Sequence, residues 1–295
     1  MKKLFLTSVV LMTALIAQAQ TKIAPKLEEG FKAVYVNKIT VSMMGKEGLA
    51  MCSEDEYAVS DVNAEGAVIT VTNLNSSDIP TEGLDPVSMM IYAMGSMLKG
   101  TVVKVKVDAD GVPQSVLNID EVKEKMLQAM TKAVDGFYAS TPELSQVMSK
   151  EQFVEQFSDQ VTNEDDILKG FEVLALNGKT VANGYQDSYT NDDGMKMKRM
   201  YFIAGKKIIS NATLDMSKDE LKEFIIKQVE KEAPEQAQMV KENIDMLMSQ
   251  LKFDATEKHT YQLLDNGWPA SVTTEKTQES MGQSMKSTSV IELKK

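Results

Sequence analysis

The clearest pattern in the chain is alternation of apolar and polar residues, interrupted by Gly-containing turns. From Thr101 to Val107, Val103, Val105 and Val107 fall on one side and Lys104 and Lys106 on the other. That is the period of a half-buried strand. His259, Tyr261 and Leu263 repeat the arrangement. Each run leads to a two-residue hairpin signal, Asp110-Gly111 or Asn266-Gly267, and each second run opens with a proline, Pro113 or Pro269. The same logic predicts strands over Phe31–Ser42, through Met51, over Tyr57–Val62 and over Ala67–Thr72. In the second half it predicts them over Phe171–Leu176, Tyr185–Tyr189, Met195–Ile203, Lys206–Ala212, Ala270–Thr274 and Thr288–Glu292.

Helical spacing fills the intervals between these runs. Asp85-Pro86 is a strong helix start and Gly100 a stop; Val87, Met89, Met90, Ile91, Tyr92, Met94, Met97 and Leu98 lie between them, apolar almost all round. Such a helix is buried on several sides or covers a cavity. Asn118 with Glu121 opens a second helix, whose stripe is Ile119, Val122, Met126, Leu127, Met130, Val134 and Phe137. Capping patterns at Ser149/Gln152 and Ser217/Glu220 open two more, and Pro234 separates the last from a helix carrying Val240, Ile244, Leu247 and Leu251.

The order meander, helix, hairpin thus occurs twice. The expectation is an α+β fold of two related units, each an antiparallel β-meander packed by helices on one face, as tandem domains or one continuous sheet. The boundaries read as a signal peptide at 1–19, a first unit at 20–138, a helical connection at 139–170 and a second unit at 171–295.

The N-terminus adds an address. Lys2 and Lys3 precede an apolar run from Leu4 to Ala17 and a small-residue cleavage site at Ala17-Gln18-Ala19, so export to the periplasm or the extracellular space is expected. No later stretch approaches the ~18 apolar residues of a membrane span. Loss of Lys2 and Lys3 leaves 30 bases against 43 acids, a net charge of −13. That balance argues against nucleic acid and anionic lipid surfaces as partners. Cys52 is the single cysteine, which rules out an intramolecular disulfide, and it reads as a buried thiol.

The run from Tyr57 through Asp61-Val62 and Glu65-Gly66 to Ile69, the helix ending Leu98-Lys99-Gly100, the Val strand and the Asp110-Gly111 turn together resemble an uncharacterised family of exported bacterial proteins, a domain of unknown function. The resemblance covers roughly residues 31–130 and, more weakly, the closing hairpin. It implies export and a sheet-plus-helix fold, and brings no catalytic residues. A looser architectural similarity is to the periplasmic lipoprotein-carrier type of fold, a curved antiparallel sheet with an apolar concave face closed by helices.

Candidate chemistry is sparse. His259 is the single histidine, which excludes zinc sites needing two imidazoles; a hydrogen-bonded structural role is expected for it. Asp108 with Asp110 and Asp192 with Asp193 read as solvated turn acids without calcium-loop spacing. Of 21 methionines, Met1 and Met12 fall in the leader, leaving 19. Methionine adapts to irregular apolar shapes, in a core or around a lipid-like guest. Met195/Met197 and Met246/Met248 also suit Cu(I) in principle, but neither pair has His or Cys nearby in sequence. The candidate ligand-binding residues are therefore Met90, Met94, Met97, Met126, Met130 and Leu247, with no metal, no cofactor and no catalytic residue expected.

The leading expectation is an exported non-enzymatic protein binding an apolar or lipid-like molecule. The alternatives are an envelope scaffold or interaction module without a small-molecule ligand and, third, a carboxylate-based hydrolase, which needs two convergent acids in a cleft.

Overall fold

A computed structural model describes residues 20–43, 46–76, 92–93, 95–142, 149–232, 234–250, 253–280 and 283–295. The leader, Asp85 to Ile91 and Met94 lie outside these residues. Of the turn that Gly45-Lys46-Glu47-Gly48 suggests, Gly45 lies outside these residues too, and Lys46 to Gly48 belong to a strand, Lys46–Asn63.

Strand β1 (Thr21–Lys22) pairs with β7 (Thr180–Val181) in a small antiparallel ribbon. The other eleven strands form one sheet. In chain order they are β2 (Lys32–Met43), β3 (Lys46–Asn63), β4 (Gly66–Ser76), β5 (Val102–Asp108) and β6 (Pro113–Val116), then β8 (Gln186–Thr190), β9 (Lys196–Ala204), β10 (Lys207–Leu214), β11 (Phe253–Leu263), β12 (Pro269–Ser280) and β13 (Gln283–Leu293). The spatial order is β6-β5-β4-β3-β2-β13-β12-β11-β10-β9-β8, with every neighbour antiparallel. Each half is a meander, and β13 pairs with β2 from Tyr35 to Met43 to fuse them.

This corrects the expected fold class. A balanced α+β pair of units gives way to a β-rich fold organised by one eleven-stranded sheet, with few helices. The cause is non-local: β2 and β13 each present an unpaired edge, and pairing them satisfies a full row of backbone donors and acceptors. Phe171–Leu176 is also corrected, from strand to a 3-10 turn at Glu172–Leu174. Its apolar residues do not keep strict alternation, and Val173, Leu174 and Leu176 are all buried in the main core.

The helices are α1 (Ile119–Ser140), α2 (Lys150–Thr162), α3 (Glu164–Lys169), α4 (Lys218–Glu232) and α5 (Pro234–Gln250); residues 92–93 and 95–97 are helical as well. Two reciprocal caps form as their sequences require. Ser149 with Gln152 starts α2, and the Ser217 N–H donates to Glu220 while the Glu220 N–H donates to Ser217 Oγ before α4. Helices α1 and α2 enclose Met130, Val134, Phe137 and Tyr138; α4 lays Phe224 on Met195, Met197, Ala212 and Ala255.

The sheet is rolled. The β5–β6 and β11–β12 turns lie six strand spacings apart in the order, roughly 29 Å in a flat sheet at about 4.8 Å each. Yet both turns abut Pro25. They also close with the same bonds: Asp108 N–H to Val112 O and Gly111 N–H to Asp108 O in one, Leu264 N–H to Trp268 O and Gly267 N–H to Leu264 O in the other. The main core fills this end of the roll with Tyr35, Tyr57, Ile69, Val105, Val107, Tyr201, Ile208 and Trp268. The convex face is polar and carries ion pairs such as Lys32–Glu56, Lys294–Glu54 and Lys258–Glu275.

Candidate functional site

Above the apolar core, the concave face becomes polar. Cross-strand pairing aligns Tyr201, Ser210, His259, Thr274 and Ser289 in one row across five strands. Ser210, Thr274 and Ser289 are buried. A polar group placed there must find partners inside the fold.

The densest part of the belt surrounds Glu257, a buried carboxylate that accepts hydrogen bonds from the Tyr189 hydroxyl (2.6 Å) and Asn191 Nδ2 (2.9 Å). Burial alone would raise its pKa. Hydrogen bonds from His259, Tyr189 and Asn191, with the charge of Lys276, outweigh that and hold it at about 2. His259 Nε2 lies 3.5 Å from Glu257, and its Nδ1 lies 3.1 Å from Thr274 Oγ1. Thr274 Oγ1 is in turn 2.8 Å from Glu172 Oε2. A carboxylate accepts only, so the single Thr274 hydroxyl proton goes to Glu172. The histidine is hydrogen-bonded as its sequence context implied. Glu257 approaches it directly and Glu172 is linked to it through Thr274, and nothing nearer than the fold announces Glu172.

Beside this network Arg199 forms a two-pronged pair with Asp187 (2.9 and 2.6 Å), and its guanidinium lies over the Tyr189 and Tyr201 rings (4.3 and 5.0 Å). Lys179 sits close by. Burial first, then the Arg199 charge, pulls its amine down to about 8, with Asp187 opposing. The Tyr201 hydroxyl is fully buried and lacks a hydrogen-bond partner of good geometry among the described residues.

On the other half of the concave face the belt borders a hollow of about 110 Å³. Its apolar wall is Ile39, Met51 and Tyr92, and its polar rim is Asn37, Ser53, Ser76 and Ser96. Ile39 and Met51 are cross-strand partners, as are Asn37 with Ser53 and Ser53 with Ser76, so wall and rim are adjacent rows of one sheet face. Tyr92, Gly95 and Ser96, on the helical residues 92–93 and 95–97, line its other side. Beneath the rim, Asp55 accepts from Ser53 Oγ (3.0 Å) and Asn73 Nδ2 (2.8 Å); burial raises its pKa, and these two bonds oppose the rise.

Of the residues expected to bind a ligand, Met90 and Met94 lie outside the described residues. Met97 is 36% exposed at the end of the 95–97 turn, next to the rim residue Ser96. Met126 packs on the main core, Met130 belongs to the α1–α2 cluster, and Leu247 is half-buried on α5. These four are not brought into one group. Among the described residues the hollow's apolar lining includes Ile39 and Met51, which sequence reasoning treated as ordinary strand positions. A signal was present for Glu257: it occupies an inward place in the alternation Ala255, Glu257, His259, Tyr261, where a charge demands partners.

No helix among the described residues is long and apolar enough to cross a membrane. No family model matches the chain, and no curated protein does. Among solved structures it is similar to a Bacteroides fragilis NCTC 9343 protein assigned as exported and given a YmcC-like fold, at 10% identity, 93% of this chain and 100% of the other, with a TM-score of 0.21. It is also similar to a porin-like protein of Bacteroides uniformis ATCC 8492, at 9% identity, 92% and 99% coverage and a TM-score of 0.18.

Proposed function

We propose that this chain is an exported, non-catalytic protein that binds an apolar, lipid-like molecule on the concave face of its sheet. The observation that carries the reading is the hollow walled by Ile39, Met51 and Tyr92, apolar on one side and polar on the other. At about 110 Å³ it has room for the volume of three or four waters, so it receives one end of a chain-like guest and the remainder extends past residues 92–97. The leader-like residues 2–19 support export, and the ion-paired convex face supports a protein that meets water on its outer side. The same reading takes the two hairpin-tipped runs as copies of one ancestral unit, supported by the matching turn bonds at Gly111 and Gly267.

Native mass spectrometry of delipidated protein incubated with 1-monomyristoyl-glycerol tests it. The expected result is one bound molecule per chain, lost in Ile39→Glu, a variant whose retained fold is confirmed by circular dichroism. Wild-type protein that stays at its apo mass across the titration sinks the reading.

A further inference from the structure

The hydrogen-bond inventory of the rim specifies the head of the guest, an inference that rests on the binding reading above. Each rim hydroxyl has one proton to give and lone pairs to receive with. Ser53 Oγ gives its proton to Asp55 Oδ2, Ser76 Oγ gives its proton to Asn73 Oδ1 (3.2 Å), and Ser96 Oγ gives its proton to the Ala93 carbonyl (2.8 Å). All three protons are directed into the fold, and what these serines turn toward the hollow is acceptor capacity. Asn37 differs: its Oδ1 accepts from Ser289 Oγ (3.2 Å), which leaves its amide N–H groups for the guest.

Charge narrows the choice further. The carboxyl nearest the rim is Asp55, joined to Ser53 and Asn73. Lys99 reaches Asn75 Oδ1 (3.2 Å), and Asn75 pairs with Glu54 one residue beyond Ser53, so alternation puts that cation on the opposite face. An anionic head would stand opposite the lone pairs of three serines with the Asn37 amide as its donor, a poorer match than a head that can itself donate.

We infer that the hollow selects an aliphatic molecule with an uncharged, hydroxyl-bearing head, of the monoacylglycerol or long-chain alcohol class, against the matching carboxylate. The head hydroxyl donates to the lone pairs of Ser53 and Ser76 and accepts from the Asn37 amide.

The test is a matched pair of probes on the full exported chain at pH 8, 1-monomyristoyl-glycerol and myristic acid, titrated separately with Kd read by native mass spectrometry. About tenfold tighter binding of the glyceride is expected, the effect of leaving one polar group unpaired. Ser53→Ala with Ser76→Ala should cut that ratio toward one by weakening the glyceride, with the acid little changed. Equal affinities in the wild type, or a preference for the acid, overturn the head-group inference while leaving chain binding in place. Failure of both probes to bind overturns the binding reading itself, and this inference with it.

Discussion

Gly111 and Gly267 press on the same stretch of chain from two distant hairpins. A Cβ on Gly111 would stand 2.7 Å from Pro25 Cγ; one on Gly267 would stand 2.5 Å from the Ala24 carbonyl oxygen and 3.1 Å from Pro25 Cα. Both have φ near +80°, where a side chain is strained in any surroundings. Residues Ile23 to Lys26 are thereby threaded between the tips. Asn177 Nδ2 donates to the Gly111 carbonyl, Lys26 N–H to the Asn266 carbonyl, and Trp268 Nε1 to the Lys26 carbonyl.

Gly267→Ala is expected to cost more than backbone strain alone, because its Cβ meets main-chain atoms that cannot swing aside. Gly205 supplies the control, with φ +62° and nothing within 4 Å of its Cβ. Chemical denaturation should show a loss of about 1 kcal/mol for Gly205→Ala and about 3 kcal/mol for Gly267→Ala. Equal losses would show that the Pro25 contact is soft.

Trp268 has no exposed surface, and its ring stacks on Phe31 at 4.8 Å. Trp268→Ala should destabilise by about 3 to 5 kcal/mol, since a large cavity opens where two hairpins and the N-terminal segment meet. Trp268→Phe should lose less, retaining the stack but orphaning the Lys26 carbonyl. Thermal unfolding of both variants checks the order.

Glu257 makes stability depend on acid. Its folded pKa, about 2, lies below the ordinary glutamate value of 4.5, so the unfolded chain takes up this proton first as pH falls. The stabilisation is fully present above roughly pH 5 and is lost progressively as pH falls toward 2. Glu257→Gln should lower stability at pH 7 by about 2 kcal/mol and flatten the curve between pH 5 and 2. A variant with an unchanged acid limb would remove Glu257 from that role.

Lys179 gives the opposite limb. Its folded pKa, about 8, is below the free value of 10.5, so carrying the charge in the folded state is unfavourable. That penalty is complete below pH 8 and fades as pH rises to 10.5, where folded and unfolded chains are both neutral at this site. Lys179→Met should therefore stabilise the protein at pH 7 by about 1 kcal/mol and by less at pH 10, a difference that melting temperatures at the two pH values would register.

The elements read locally are those whose causes are local. Alternation at Val103, Val105 and Val107 and the Asp110-Gly111 and Asn266-Gly267 turns appear where residue order places them. The Ser149 and Ser217 capping boxes do too, because each rests on contacts within a few residues. Asn118 marks the limit. It precedes α1 as its position foretold, but its side chain bonds Lys104 N–H, the Val102 carbonyl and Glu121 instead of capping the helix. A strand distant in the chain offered partners that no local pattern reveals.

What the residues alone determined, then, is which segments extend, which coil, where they turn and which face of each strand is greasy. Tertiary structure decided that β2 and β13 pair, which merged two expected units into a single sheet and set its roll. It also decided that Glu172 and Glu257 meet at His259 and Thr274, and that Ile39 and Met51 face one hollow. Turns and caps are short-range bonds written in adjacent letters. Strand order and the company a buried polar group keeps depend on which unpaired edges find each other after the chain has collapsed.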